Sequence, residues 1–160
     1  MFYSQLVLQS DLSKMGEVDA FLEGIMQHFG IEEDFFGVMS VPLLECVKNG
    51  MVHGNKLDKN KNLTIDFQIK ESRLFFTVTD EGQGFDYENF LKQNKNKTEE
   101  KGLFILFHLA EEVTFLKNGS QVSYKVNIPF RINSSANRTA ILQQRAKEKE
   151  TVQAKIQYAV

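Results

Sequence analysis

A chain of 160 residues, 42% hydrophobic and 25% charged, has the composition of one globular domain with room for a core. Fourteen Phe and no Trp make that core rich in Phe. A net charge of −2 and a pI of about 5.9 give no electrostatic footprint for nucleic acid or for an anionic membrane surface. The single cysteine, Cys46, excludes a disulfide framework. It sits in an apolar-patterned stretch, so it reads as packing and points to a reducing, cytoplasmic setting. No apolar run approaches the roughly 20 residues of a membrane span, and the start Met-Phe-Tyr-Ser-Gln lacks the basic residues of a signal peptide.

Gln5–Gln9 alternates weakly and predicts a strand. Ser10 or Asp11 can cap the next segment, in which Leu12, Met15, Val18, Phe21, Leu22, Ile25, Met26 and Phe29 recur at helical spacing until Gly30 stops the run. A second helical pattern covers Glu32 to His53. It is interrupted around Gly37–Pro42, where Ser40 can cap a new segment with Pro42 in its first turn, and Gly54-Asn55 ends it. After a polar turn at Asn60–Asn62, Leu63, Ile65, Phe67 and Ile69 alternate with polar residues. Glu71-Ser72-Arg73 then turns the chain into a second strand from Leu74 to Thr79, which predicts an antiparallel hairpin.

Asp80–Gly84 breaks that strand, and Phe85–Lys101 reads as a long irregular or mobile segment, uncommon unless functional or disordered. Leu103–Glu112 is a short apolar helix. Val113–Leu116 and Val122–Phe130 are strands around the hairpin signal Asn118-Gly119. Residues 1–132 form the domain, and 133–160 form a polar tail, helical or disordered. The order strand, helix, helix, two strands, loop, helix, two strands predicts an α+β fold. Its form is a two-layer α/β sandwich, with a mixed, mainly antiparallel sheet and helices on one face.

Three stretches carry chemistry. In the first, Glu45, Asn49 and His53 are four apart and share a helix face, opposite the apolar stripe Leu43, Val47 and Met51. Asn49 offers a neutral oxygen suited to Mg²⁺, and Glu45 can orient or deprotonate a nucleophile. In the second, Asp80-Glu81-Gly82-Gln83-Gly84-Phe85-Asp86, a carboxylate ends an apolar strand beside two glycines that permit close backbone approach to a ligand. Such a carboxylate can accept from an exocyclic amine. In the third, Gly102 opens an apolar helix whose N-terminus, with Lys101, is an anion site. Each alone reads more simply: a solvated helix face, an acidic turn, a core helix with a flexible start.

Together, in this order and with a hairpin between the first two, they resemble the N box and two glycine boxes of the ATPases that include gyrase, Hsp90, histidine kinases and MutL. The chain is most similar to the anti-sigma factor serine kinases over residues 5 to 130, including the run His53-Gly-Asn-Lys-Leu-Asp58. The resemblance implies a Bergerat fold binding ATP with Mg²⁺. In it, Asp80 takes the adenine amino group, Gly82 and Gly84 shape the base pocket, and Asn49 holds the metal. Glu45 is the general base, Gly102 and Lys101 meet the phosphates, His53 contacts phosphate or lid or supports from behind, and Phe85–Lys101 is the lid.

The implied activity is a serine/threonine protein kinase that binds a sigma-like factor, phosphorylates a small antagonist protein and forms a homodimer, with no nucleic-acid or membrane partner. Glu100, standing where the family has a glycine, favours a second reading: a catalytically weak or inactive nucleotide-binding partner switch. A histidine-kinase catalytic domain ranks third, because the chain shows no dimerisation helices bearing a phospho-accepting His.

Overall fold

The computed structural model describes residues 2–70, 73–84, 86 and 101–128, with 101–104 as backbone only. The sequence-predicted lid apart from Asp86 and Lys101, the turn residues Glu71 and Ser72, Glu100 and the tail 133–160 lie outside the described residues.

Period-two patterning builds the sheet. In β2 (Asn62–Lys70), Leu63, Ile65, Phe67 and Ile69 are buried while Thr64, Asp66 and Gln68 are half-buried on the other face. Its neighbours are β1 (Phe2–Gln9) and β3 (Arg73–Asp80), and the register sets Phe67 opposite Phe76 and Leu63 opposite both Leu8 and Asp80. Beyond β3 come β5 (Gln121–Val126) and then the edge strand β4 (Glu111–Leu116), giving the order β1-β2-β3-β5-β4. All four described pairings are antiparallel. Cross-strand neighbours Phe67, Phe76 and Tyr124 place their ring centroids 5.0 and 5.4 Å apart through the middle of the core.

The helices cover one face of this sheet. α1 (Met15–Phe29) buries Val18, Leu22, Ile25, Met26 and Phe29, the apolar stripe of the sequence. Of the two candidate caps Asp11 acts: its carboxylate accepts the Ser13 N–H at 3.0 Å, opening a 3₁₀ turn over Leu12–Lys14. Gly30 ends α1 in the left-handed region at φ 64°.

The expected break at Gly37–Pro42 does not occur. After a 3₁₀ turn over Glu33–Phe35, α2 runs unbroken over Phe36–Asn49, with Pro42 in its interior and Ser40 buried within it instead of capping a new segment. An interior proline costs a helix about 3 kcal/mol. Burial of Met39, Leu43, Cys46 and Val47 against the sheet outweighs it, at about 1.5–3 kcal/mol for each large apolar side chain. Continuity also corrects the membrane reading. Glu33–Gly54 is 22 residues of helix, and an 18-residue window within it reaches a mean hydropathy of 1.2, enough by length and composition to pass as a span. Met39, Leu43, Val47 and Met51 are fully buried in the core, which accounts for that apolarity.

The last helix is shorter than its pattern. α3 (Lys101–Leu109) stops before Glu111-Glu112, which open β4 instead of closing the helix, and β5 ends at Val126 instead of Phe130. A bulge lies between Glu111 and Thr114, with Glu112 at φ 52°, a conformation that neither helix nor regular strand uses. Cys46 is buried, and that burial pushes its thiol far above the ordinary range, which fits a packing residue.

Candidate functional site

α2 does not end in a regular turn. Gly50–Gly54 forms a π-helical turn closed by the Asn55 N–H donating to the Gly50 carbonyl at 2.7 Å. Such wide turns are rare and recur at functional sites. Glycines allow this one to lie directly on the end of β3. A Cβ at Gly50 would stand 2.6 Å from Leu63 Cδ1, one at Gly54 would collide with the Asp80 carboxyl group, and one at Gly82 would collide with the Gly54 carbonyl. The helix end, the strand end and the acidic turn are thus in backbone-to-side-chain contact around a single carboxylate. Gly84 has a separate reason: its φ is +76°, and a Cβ would strike the Asn118 carbonyl across the β4–β5 turn.

Asp80 is held at its own end of the sheet. Its N–H donates to the Ser120 carbonyl at 2.9 Å, and its Oδ1 accepts the Gly82 N–H at 2.8 Å. Partial burial raises its pKa above the ordinary carboxylate value, against the opposing pull of the Gly82 N–H and the Lys61 charge. A half-buried carboxylate with one oxygen engaged has the chemistry to accept a hydrogen bond from a neutral amine.

Asn55, only 1% exposed, fastens the surroundings of this group. Its Nδ2 donates to the Asn62 carbonyl at 2.9 Å and its Oδ1 accepts the Glu81 N–H at 2.8 Å. Glu81 in turn accepts the Asn62 N–H at 2.9 Å. Ser10, fully buried, donates from Oγ to the Met51 carbonyl at 3.3 Å and from its N–H to the Lys61 carbonyl at 3.0 Å, tying the end of β1 to the π turn.

The structure brings Asp80, Gly82 and Gly84 together with the end of α2. Glu45 and Asn49 lie half-buried within the regular part of α2, and Asn49 is its last residue. His53 falls inside the π turn and is exposed; a turn that closes over five residues carries it less far round than an α-turn would. Lys101 and Gly102 stand in the first turn of α3, which packs against α2. Sequence reasoning gave Gly50 no role, took Ser10 as a candidate cap, and noted Gly54 and Asn55 only as a helix stop and as part of a family-like run, without the contacts they make here. The available signal was a Gly-x-x-x-Gly-Asn run immediately after Asn49, too much glycine for an ordinary amphipathic helix.

The model of the histidine kinase-like ATPase domain matches residues 8–125, a span that begins in β1 and ends in β5. The chain belongs to that family. Among curated proteins it is similar to the serine-protein kinase RsbW of Bacillus subtilis, 28% identical over 86 residues covering 54% of each chain. It is also similar to RsbW of Staphylococcus aureus, 28% identical over 107 residues covering 60% of this chain and 67% of that one. The chain spans about half the length of the first of these relatives. Among solved structures it superposes on the RsbU and RsbW domains of a Mycobacterium tuberculosis protein with a TM-score of 0.53. That match is 14% identical and covers 79% of this chain and 32% of the other, a likeness of fold. The histidine kinase-like ATPase domain here is therefore an α+β Bergerat-type sandwich with its acidic turn set against the end of its second helix.

Proposed function

We propose that this chain binds Mg-ATP and acts as an anti-sigma-type serine/threonine protein kinase. The observation that carries the reading is the half-buried carboxylate of Asp80, seated at the end of a central strand against the π turn that follows Asn49. Membership of the ATPase family and likeness to two serine-protein kinases support it.

Bound Mg-ATP would supply the transferable phosphoryl group and the metal charge that neutralises it. Asp80 then accepts the adenine amino group while Gly82 and Gly84 let the backbone lie along the base. Asn49 offers one neutral oxygen to Mg²⁺, which needs few protein ligands. Glu45, one helical turn before Asn49, takes the proton of an incoming serine hydroxyl. Lys101 and Gly102, in the first turn of α3, meet phosphate oxygens with the positive end of the helix, and His53 stands at the exposed rim. Phosphoryl transfer asks mainly for such positioning and charge neutralisation. The same reading makes 1–132 the catalytic domain, with 133–160 a polar tail. It places the chain in the cytoplasm and gives it a sigma-like factor, a small antagonist substrate and a second copy of itself as partners. Glu100, a carboxylate close in sequence to the phosphate-binding turn, favours a second reading in which nucleotide is held but turnover is slow.

Calorimetric titration with Mg-ATP tests the site. Wild type should saturate, and Asp80→Asn should lose about tenfold or more in affinity, the worth of a hydrogen bond to a charged group. Asn49→Ala should make binding insensitive to magnesium. No heat of binding at millimolar nucleotide overturns the kinase reading; binding without phosphate transfer to any antagonist-type protein selects the partner switch.

A further inference from the structure

We infer that Asn55 is the positioning residue that sets the base selectivity of this site, acting through Asp80; the inference rests on the reading of Asp80 as the adenine acceptor. Besides accepting the Asp58 N–H on its carbonyl, Asn55 makes three hydrogen bonds, and these lead to segments that adjoin Asp80. Its backbone N–H closes the π turn on Gly50, so Gly54 is held against the Asp80 carboxyl group. Its Oδ1 takes the N–H of Glu81, the residue after Asp80 in the chain. Its Nδ2 donates to the carbonyl of Asn62, whose neighbour Leu63 is the cross-strand partner of Asp80.

The side chain is buried, so neither amide bond has water as a ready substitute. Among the described residues the Asp80 carboxylate is tethered by the Gly82 N–H, and Gly82 moves with the Glu81 peptide that Asn55 holds. Asn55 therefore fixes the second carboxyl oxygen in direction without touching the base. Removing it frees the acidic turn to rock about the end of β3. An acceptor that must line up with an amine proton is sensitive to that movement; general contacts to sugar and phosphates are not.

The test compares ATP with inosine triphosphate, which carries a carbonyl where adenine carries its amino group, by calorimetry on wild type, Asn55→Ala and Asn55→Asp. Wild type should prefer ATP by about tenfold or more, the value of one charge-assisted bond. Asn55→Ala should lose that preference by weakening ATP alone and leaving inosine triphosphate within about twofold. A merely structural role would lower both affinities together through the folded fraction, so the ratio is the readout. Asn55→Asp keeps the acceptor for the Glu81 N–H and loses the donor to Asn62, so it should retain part of the preference; it carries the test if the alanine variant does not fold. A preference unchanged in a folded Asn55 variant overturns this inference and leaves the Asp80 reading standing. Wild type that binds both nucleotides equally overturns the Asp80 reading and this inference with it.

Discussion

Two polar knots fasten opposite ends of β3, and they are built by different means. Among the described residues the side chains of Asn55, Asp80 and Glu81 bond to backbone: Asn55 to the Asn62 carbonyl and the Glu81 N–H, Asp80 to the Gly82 N–H, Glu81 to the Asn62 N–H. At the other end Lys125, opposite Phe75, pairs with Glu112 at 2.6 Å and Glu111 at 3.0 Å, and those two carboxylates are 67% and 52% exposed. Short side chains bonded to backbone fix a geometry, and leaving them unpaired in a buried site is costly. Lys125 itself is buried at 6% exposure, but both carboxylates stand in solvent, which screens the pairs and weakens them. The first knot defines where a carboxylate points; the second only closes a sheet margin.

The largest effect that sharpens this contrast is Gly54→Ala. The added methyl has to displace the Asp80 carboxyl group or lift the π turn off β3, at a cost of about 2–3 kcal/mol, typical of overpacking. Urea denaturation should show that loss, and nucleotide affinity should fall with it. A Gly54→Ala protein as stable as wild type would mean that the close contact is slack and the knot is not rigid.

Tyr124→Phe should move stability the other way. Tyr124 neighbours Lys125 on β5 but points into the core, where its hydroxyl is buried with no hydrogen-bond partner among the described residues. Burial raises the pKa of that hydroxyl well above its ordinary 10.0, with a further push from Cys46. Deleting the oxygen removes an unmet desolvation cost, so thermal unfolding should report a gain of about 1 kcal/mol. A loss of stability would show that the hydroxyl has found a partner in solution, and the core beneath Lys125 would then be as well satisfied as the Asn55 knot.

Asp80→Asn sets stability against function. Burial raises the folded pKa of Asp80 above its ordinary 3.8. The contribution of this group to stability is therefore fully present below that value and is lost as pH rises through the folded pKa. At neutral pH the ionised carboxylate is a net cost to the apo fold. Asparagine keeps an acceptor for the Gly82 N–H and removes the charge, so the variant should equal or exceed wild type. The gain should stay below about 1 kcal/mol, because the group is only half-buried and solvent screens it. It should fade on acidification while nucleotide affinity stays low throughout.

The parts that were legible in the sequence are those in which burial follows a single period. Leu63 to Ile69 and Leu74 to Val78 alternate because one sheet face meets helices and the other does not, and α1 carries an uninterrupted stripe. Propensity misled where packing overrides it: Gly37, Ser40 and Pro42 look like a helix boundary, yet their helix is held by the core residues beside them. The candidate carboxylate and its glycines were visible as Asp80, Gly82 and Gly84. The π turn was not, since a spacing of four from Asn49 to His53 suits an α-turn as readily. The role of Asn55 was invisible for another reason. In sequence it stands in the family-like run from His53 to Asp58 with no role attached, and its importance comes from contacts with residues 62 and 81 that only the sheet register brings near.

The smallest effects belong to the bulge at Glu112, where two local terms oppose each other. Its φ of 52° is costly for any residue with a Cβ, and its carboxylate gains an ion pair with Lys125. Glu112→Ala keeps the first and loses the second, so it should lower Tm slightly. Glu112→Gly relieves the first while Lys125 retains Glu111, so it should match or exceed wild type. The order glycine, wild type, alanine is the expected result at neutral pH. The Lys125 ammonium holds the Glu112 carboxyl below its ordinary 4.5, so this pair stabilises above that value and its contribution disappears as pH falls through the depressed one. Below that window alanine and wild type should converge, and at no pH should either variant change nucleotide affinity. If Glu112→Ala instead cost as much as Gly54→Ala, the exposed edge would be fixing the sheet as firmly as the buried knot does, and the division of labour between the two ends of β3 would have to be abandoned.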